Sequence, residues 1–288
     1  MIILGVMKRF LSLILAFFLM AAFAMAETPF SVSVTPEIAW QGKVLEIKVP
    51  LAGIKDIRAE FLGQKFKLYP DGDVFVGIVG VPTNQKVGHY DLRLIITQTD
   101  GKIVEQTKNI KVWQTKFLAT RYTLKPSRDK LRSPKIINNE WGKIEKVLVK
   151  KGSKRLWQGK FAYPCQARIS QGFGHLQIIN GKRSGTHRGL DLAVPIGTKV
   201  FAPNSGKVVF ADKLKAFGGT MVLDHGHGIH TLYFHLSKFA AEVGAMVTKG
   251  TVIAYSGNSG VSSGAHLHWG MSVQNLRVDP EQWVKYEL

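Results

Sequence analysis

Eight of the nine histidines in this 288-residue chain lie after Phe161, and two of them, His266 and His268, stand one leucine apart in "GAHLHWGM". In an extended strand, residues two apart project from one face, so both imidazoles would enter the same pocket. Imidazoles suit divalent transition metals, and a hydrolytic zinc site needs three protein ligands with one position left open. Further candidates lie upstream in "GTHRGLDLAVPIGT", where three residues separate His187 from Asp191. The flanking glycines and proline argue for a strand edge or loop, and Gly189 is the easy point for a bend that lets the two side chains converge.

The remaining histidines compete with this set. "LDHGHGIH" holds a rival pair, His225 and His227, but Gly226 and Gly228 give it the look of a hairpin turn. His225, His227 and His230 are therefore expected in structural or surface roles. Leu267 and Trp269, by contrast, alternate with His266 and His268 and would anchor their strand in a core. His235 lies inside the apolar run "LYFHLS", where an imidazole is costly to bury unless something uses it. His175 in "GFGHL" is ambiguous, and His89 in "GHYD" stands alone. Spacing does not say which member of the HxH pair would bind a metal.

Two strand-rich regions must position these groups. Residues 27–115 alternate with period two in runs such as "KVLEIKVPL", "VFVGIVGVP" and "YDLRLIITQ", punctuated by Pro70-Asp71-Gly72-Asp73 and Asp100-Gly101. About seven short strands without helical period predict an immunoglobulin-like β-sandwich. Residues 161–288 are richer in glycine, and "GKVVFAD", "GTMVLDHG", "GIHTLYFHLS" and "TVIAYSG" read as further strands, which makes the chain mainly β. Between them, residues 116–160 carry fourteen Lys or Arg against Asp129, Glu140 and Glu145. This stretch reads as a basic linker with some structure of its own: Ser133 could cap and Pro134 open a short helix, against which Gly142 and the β-branched residues count.

The N-terminus places the chain. Lys8 and Arg9, an uncharged apolar run and Ala24-Met25-Ala26 have the layout of a cleaved secretory signal, residues 1–26. An exported destination, the periplasm or cell envelope or full secretion, is expected, with no stable membrane span after cleavage. The formal charge of +19 falls to +17 when Lys8 and Arg9 leave with the signal. Export then favours anionic envelope polymers, met through the basic linker, or membrane lipid over nucleic acid, which is not expected as a partner. One cysteine, Cys165, cannot form an internal disulfide and is expected to be a small buried hydrophobe.

The runs "GTHRGLDLAVPIGTKVFAPNSGKVVFA", "GGTMVLDHGHGIHTLYFHLS", "VGAMVTKGTVIAYSGNSGVSSGAHLHWGM" and "VDPEQWV" together resemble the catalytic domain of lysostaphin/LytM-type zinc endopeptidases, which cut peptidoglycan cross-bridges or stem peptides. The resemblance runs from about residue 170 to the C-terminus, and implies an antiparallel β-sheet metallopeptidase domain over 161–288. It implies one Zn²⁺ held by His187, Asp191 and His268, with His235 and His266 unligated beside it as the catalytic histidines that work on a metal-activated water. Peptidoglycan is the implied substrate, cut at an amide bond. The chain departs from many relatives at Gly270, where they carry an acidic residue, so support for the ligands must come from elsewhere. A different class, a non-enzymatic wall-binding regulator of another hydrolase, is the alternative; such proteins typically lose ligands that this chain retains.

Overall fold

The mainly β class expected from the sequence is observed. The structure, a computed structural model, describes residues 30–288 apart from 151 and 153, so the expected export signal lies outside the described residues. The N-terminal strands are β1 (Ser33–Thr35), β2 (Ile38–Trp40), β3 (Val44–Pro50), β4 (Ile54–Phe61), β5 (Gln64–Asp71), β6 (Val74–Gly80), β7 (Gly88–Gln98) and β8 (Ile103–Trp113). They form one sheet in the order β1-β3-β6-β5-β4-β7-β8-β2. The first half of β5 pairs with β4 and its last three residues with β6, so β5 turns a corner. The turn from β2 to β3, closed by Lys43 N–H on Trp40 O at 3.0 Å, brings the ends of the sheet together. The result is barrel-like, with Ile47, Ile57, Leu68, Leu92, Leu94 and Ile96 inside.

The basic segment is ordered by contact with the C-terminal half of the chain. It supplies β9 (Ala119–Tyr122), a single turn α1 (Pro126–Asp129) and α2 (Pro134–Leu148). Ser133 does cap α2, its hydroxyl accepting from Ile136 N–H, and Pro134 opens it. The helix runs to fifteen residues despite Gly142, because Ile144 and Leu148 bury fully against Leu214, Val222, Leu232 and Phe234. Each such burial stabilises by roughly 2 kcal/mol, more than the ~1 kcal/mol that an interior glycine costs.

Beyond it come β10 (Arg168–Gln171), β11 (Leu176–Ile179), β12 (Lys182–Thr186), β13 (Leu190–Ala193), β14 (Lys199–Phe201), β15 (Gly206–Leu214) and β16 (Gly218–Gly226). The chain ends with β17 (Ile229–Leu236), β18 (Lys238–Phe239), β19 (Met246–Val247), β20 (Val252–Tyr255), β21 (Leu267–Val273), β22 (Leu276–Val278) and α3 (Pro280–Lys285). The principal sheet is antiparallel, in the order β10-β13-β21-β17-β16-β15-β19, with β22 beside β21. β11 pairs with β12 and, in parallel, with β9.

Along β21 the two-residue period sorts side chains by face. Leu267, Trp269, Met271 and Val273 are all fully buried in the core, which leaves His268, Gly270 and Ser272 on the other side. A second core joins the two halves: Val44, Val76 and Ile78 pack with Trp157, Met271, Val273, Val278 and Trp283. There the Gln282 side chain takes both backbone bonds of Val44, accepting from its N–H at 2.8 Å and donating to its carbonyl at 3.0 Å.

The rival histidines are built into this framework. His225 donates from Nδ1 to Ser205 O at 2.7 Å and accepts at Nε2 from Thr231 Oγ1 at 2.8 Å, which in turn meets Tyr233 OH at 2.8 Å. His227 stacks on Tyr69 with ring centroids 4.0 Å apart. Burial pushes the His225 pKa down to about 4, so it is neutral in the fold. An unfolded chain binds that proton from about pH 6.5 downward, so stability is full above that value and falls as pH drops towards 4. We predict a Tm that declines between pH 6.5 and 4 and a shallower decline in His225→Gln, measured by calorimetry; parallel slopes would remove His225 as the cause.

Candidate metal centre and cleft

His187, Asp191 and His268 converge as expected. Asp191 and His268 are direct cross-strand partners in the β13–β21 pair, and both point away from the core face. His187 reaches them from the segment before β13, and its ring is 4% exposed. The backbone at Gly189 passes so close to His268 that a Cβ would lie 2.5 Å from Nε2 and 2.6 Å from Trp269 O. Any side chain there would displace a ligand-bearing ring. Glycine is thus required for close approach, beyond the bend its type suggested.

The three donor atoms form a triangle: His187 Nε2 to Asp191 Oδ1 is 3.0 Å, His187 Nε2 to His268 Nδ1 is 3.0 Å and His268 Nδ1 to Asp191 Oδ1 is 2.8 Å. His187 Nδ1 lies 2.9 Å from Gly172 O, and a carbonyl can only accept, so Nδ1 carries the proton and Nε2 of the neutral ring presents a lone pair. That lone pair then faces a carboxylate oxygen. Two acceptors at this distance repel unless positive charge lies between them, a second proton on His187 or a metal ion. A tetrahedral ion with bonds near 2.1 Å would hold its donors about 3.4 Å apart, a few tenths wider than the edges seen here. Burial disfavours the Asp191 charge, yet the His187 and His268 imidazoles hold its carboxyl well below the usual range. The donor set of two imidazoles and one carboxylate fits a divalent cation, and His187, Asp191 and His268 are grouped as a metal-capable cluster.

His235 and His266 stand beside the triangle with ring centroids 4.8 Å apart. His235 donates from Nδ1 to Ser259 O at 2.7 Å, and His266 donates from Nδ1 to Gly264 O at 2.9 Å. The neutral form of each ring therefore leaves Nε2 free to accept, and that of His266 is 3.6 Å from Asp191 Oδ1. His266 does not share the strand of His268: it precedes β21 and bridges to Gly257, although both rings line one cleft. His235 reaches the site through a backbone irregularity. Strict alternation would send it to the side of Tyr233, into the core, but its φ is +61°, and the β16–β17 register shifts between Gly219 and Met221. Phe234 and His235 consequently both line the cleft while Tyr233 and Leu236 stay in the core. A β-branched or bulky residue seldom adopts that conformation, and such strain clusters where function over-determines the backbone. Burial first, then His266 and His268, push the His235 pKa down to about 3, so the ring is neutral at ambient pH.

The cleft has a volume of about 980 Å³. One wall is the β11–β12 hairpin, expected from the sequence, contributing Gln177, Ile179 and Arg183. The opposite wall was not foreseen: Arg132, Ile137 and Trp141 come from the basic segment. That segment also braces the groups behind the histidines. Arg128 donates to Gly260 O at 2.6 Å and Asn258 O at 2.9 Å, on either side of Ser259, whose carbonyl holds His235. Buried Glu140 accepts from the backbone N–H groups of Lys215 at 2.6 Å, Ala216 at 2.8 Å and Phe217 at 3.4 Å. Phe217 O in turn accepts the His235 N–H at 3.1 Å. The signal that could have found Glu140 is a carboxylate on the apolar face of α2, four residues before Ile144.

His175 and His89 take no part in the donor triangle; His175 contacts Thr120 Oγ1 at 2.9 Å and His89 contacts Asn109 Oδ1 at 2.7 Å. Cys165 is buried, and burial pushes its thiol up to about 11, as a packed hydrophobe requires.

Comparison with known proteins bears on the segment that holds the site. Residues 185–280, which hold the donor triangle and both flanking histidines, match the family described as Peptidase family M23. The chain carries an M23 peptidase domain. An "Uncharacterized metalloprotease" of Haemophilus influenzae is 31% identical over 208 residues, 63% of this chain and 43% of that protein. "Peptidoglycan DD-endopeptidase ShyA" of Vibrio cholerae is 39% identical over 120 residues, 41% of this chain and 28% of ShyA. A solved structure from Pseudomonas aeruginosa, assigned to peptidase M23, superposes with a TM-score of 0.62 at 25% identity, over 87% of this chain and 95% of that one. The matches span less than half the length of those two curated relatives. Because the structural likeness extends well beyond the M23 domain, the upstream sheet and cleft wall belong to a shared architecture.

Proposed function

We propose that the chain is an exported zinc endopeptidase that hydrolyses amide bonds in peptidoglycan peptides. The observation that carries this reading is the pairing of one donor triangle with two further imidazoles whose Nε2 lone pairs face the same cleft. A zinc ion held by His187, Asp191 and His268 would supply Lewis acidity, polarising a carbonyl and making a water more acidic. The chain's own groups do the rest. One of His235 and His266, each with a proton fixed on Nδ1 in its neutral form, accepts the proton of the attacking water at Nε2 while the other is left to orient the reacting groups. Once protonated there, either ring can donate to the oxygen of the tetrahedral intermediate or to the departing amine. Their Nδ1 bonds to main-chain carbonyls hold the tautomer that makes this exchange possible.

The substrate class is supported by the peptidoglycan endopeptidases among the relatives, and an envelope location follows from that substrate. No helix of the described residues is long and apolar enough to cross a membrane. The basic segment favours anionic polymers around the substrate.

Incubating the full chain, with its metal content measured, with intact sacculi and resolving the fragments by mass spectrometry tests the reading. New amino and carboxyl ends that vanish with a chelator and return with zinc are expected; a zinc-loaded chain that binds sacculi and cuts nothing would favour the regulator alternative. In the same assay His266→Ala and His235→Ala should keep about one zinc per chain while turnover falls by about 100-fold or more. An unchanged rate would remove the substituted histidine from the chemistry.

A further inference from the structure

Arg277 is a buried cation without a counter-charge among the described residues. It extends from β22 along the face of β21 that carries His268, and its guanidinium lies over Gly270, where a Cβ would come within 1.6 Å of Nη2. Gly270, the departure from the family pattern, is what makes room for it. The rings of Trp141 and Phe234 flank the guanidinium at 5.7 and 5.9 Å, and Nη2 donates to Arg188 O. Nε is buried without a hydrogen-bond partner among the described residues. The arginine ion pairs among those residues, made by Arg58, Arg93, Arg132 and Arg155, leave Arg277 out.

Burying a guanidinium without an anion is strongly unfavourable, and a fold keeps such a group when something outside the chain completes it. Burial, with Arg188 adding to it, pushes the Arg277 pKa down to about 9, consistent with a charge that no neighbour relieves. The residue is 7% exposed, yet it lines the cleft. Arg132, Arg183 and Arg188 line the same cleft, and Asp191, already committed to the donor triangle, is the one carboxylate among the lining residues.

Resting on the peptidase reading above, we propose that Arg277 anchors a free carboxylate of the bound peptide, so that the cleft selects acidic peptides. A guanidinium has five N–H donors in a planar fork that matches a carboxylate in bidentate fashion, and among the described residues one bond occupies it here. Trp141 and Phe234 lie beside the fork at 5.7 and 5.9 Å, and lysine has no planar fork to match a carboxylate. Its position on the strand face of His268 sets the anchored carboxylate close to the bond to be cut.

The test uses soluble muropeptides, half of them with every carboxyl converted to an amide. Their affinity for the chelated full-length chain is measured by calorimetry, and their cleavage by the zinc-loaded chain is followed separately. Amidation should weaken binding to the unaltered chain about tenfold, the usual worth of a charge-assisted hydrogen bond. Arg277→Met, checked for an unchanged circular dichroism spectrum, should bind both pools within about twofold, and Arg277→Lys should fall between. Equal affinity of the unaltered chain for the two pools would overturn the assignment, as would tenfold discrimination persisting in Arg277→Met. An equal loss on both pools would mark a merely structural arginine and overturn it too. Discrimination without any cleavage would remove the peptidase reading and leave the carboxylate site standing.

Discussion

His268→Ala, purified as the full chain, should hold no stoichiometric zinc and show no turnover. The substitution removes one of three donor atoms from a triangle whose edges are 2.8–3.0 Å, and no other imidazole can take its place. His266 has its Nδ1 engaged with Gly264 O, and its Nε2 stands 3.6 Å from Asp191 Oδ1, farther than the 2.8 Å of the lost ring. Losing a group that merely orients a ligand typically costs 10–100-fold in metal affinity, so losing the ligand itself should exceed about 100-fold. Metal analysis after dialysis reads the first effect and sacculus digestion the second. A variant that retains about one zinc per chain would show that the donors are misassigned. The fold should survive, because His268 lies on the open face of β21 while Leu267 and Trp269 hold the strand in the core.

Glu140→Ala should separate metal binding from turnover. This carboxylate accepts three main-chain N–H bonds from Lys215, Ala216 and Phe217, and its removal strands the buried Ala216 donor and two partly buried ones. Each stranded donor costs about 1–3 kcal/mol, so a loss of about 3 kcal/mol in stability is a conservative expectation. The kinetic effect follows from Phe217 O, which holds the His235 backbone in its left-handed conformation. A displacement near 1 Å at a reacting group costs about 100-fold in rate. Glu140→Ala should therefore keep zinc while kcat falls by a factor of that order, and Glu140→Gln, which still accepts, should recover most of it. If kcat follows folded fraction alone, Glu140 is structural and does not position His235.

What the residue string disclosed and what it withheld have separate physical origins. His187, Asp191 and the His266/His268 pair stood out as candidates because metal chemistry restricts ligand types, but which imidazole of the pair completes the set came only from the resemblance. His235 was legible only as an anomaly, an imidazole in an apolar run, since the left-handed residue that turns it outward leaves no pattern in composition. The histidines at 225, 227 and 230 read as structural or surface residues, and the structure takes the first alternative: His225 and His230 are fully buried, and His227 stacks on Tyr69, a partner too distant in sequence to be read from the string. The wall formed by α2 was hidden for a related reason. Fourteen cations suggested a solvated connector, and the sparse stripe of Ile137, Trp141, Ile144 and Leu148 acquires meaning only once the strands it covers are in place. Gly270 looked like a missing support for the metal and is instead the space an arginine occupies.

The core shared by Val44, Val76 and Ile78 with Trp283 and Val278 fixes more than stability. With the Gln282 amide clamped on both backbone groups of Val44, the barrel-like sheet cannot swing on a tether relative to the catalytic cleft. Whatever polymer rests against that sheet is therefore presented to the cleft at one set distance and angle. On the proposed peptidase reading the molecule would work as a gauge, measuring off where along a substrate a cut can fall.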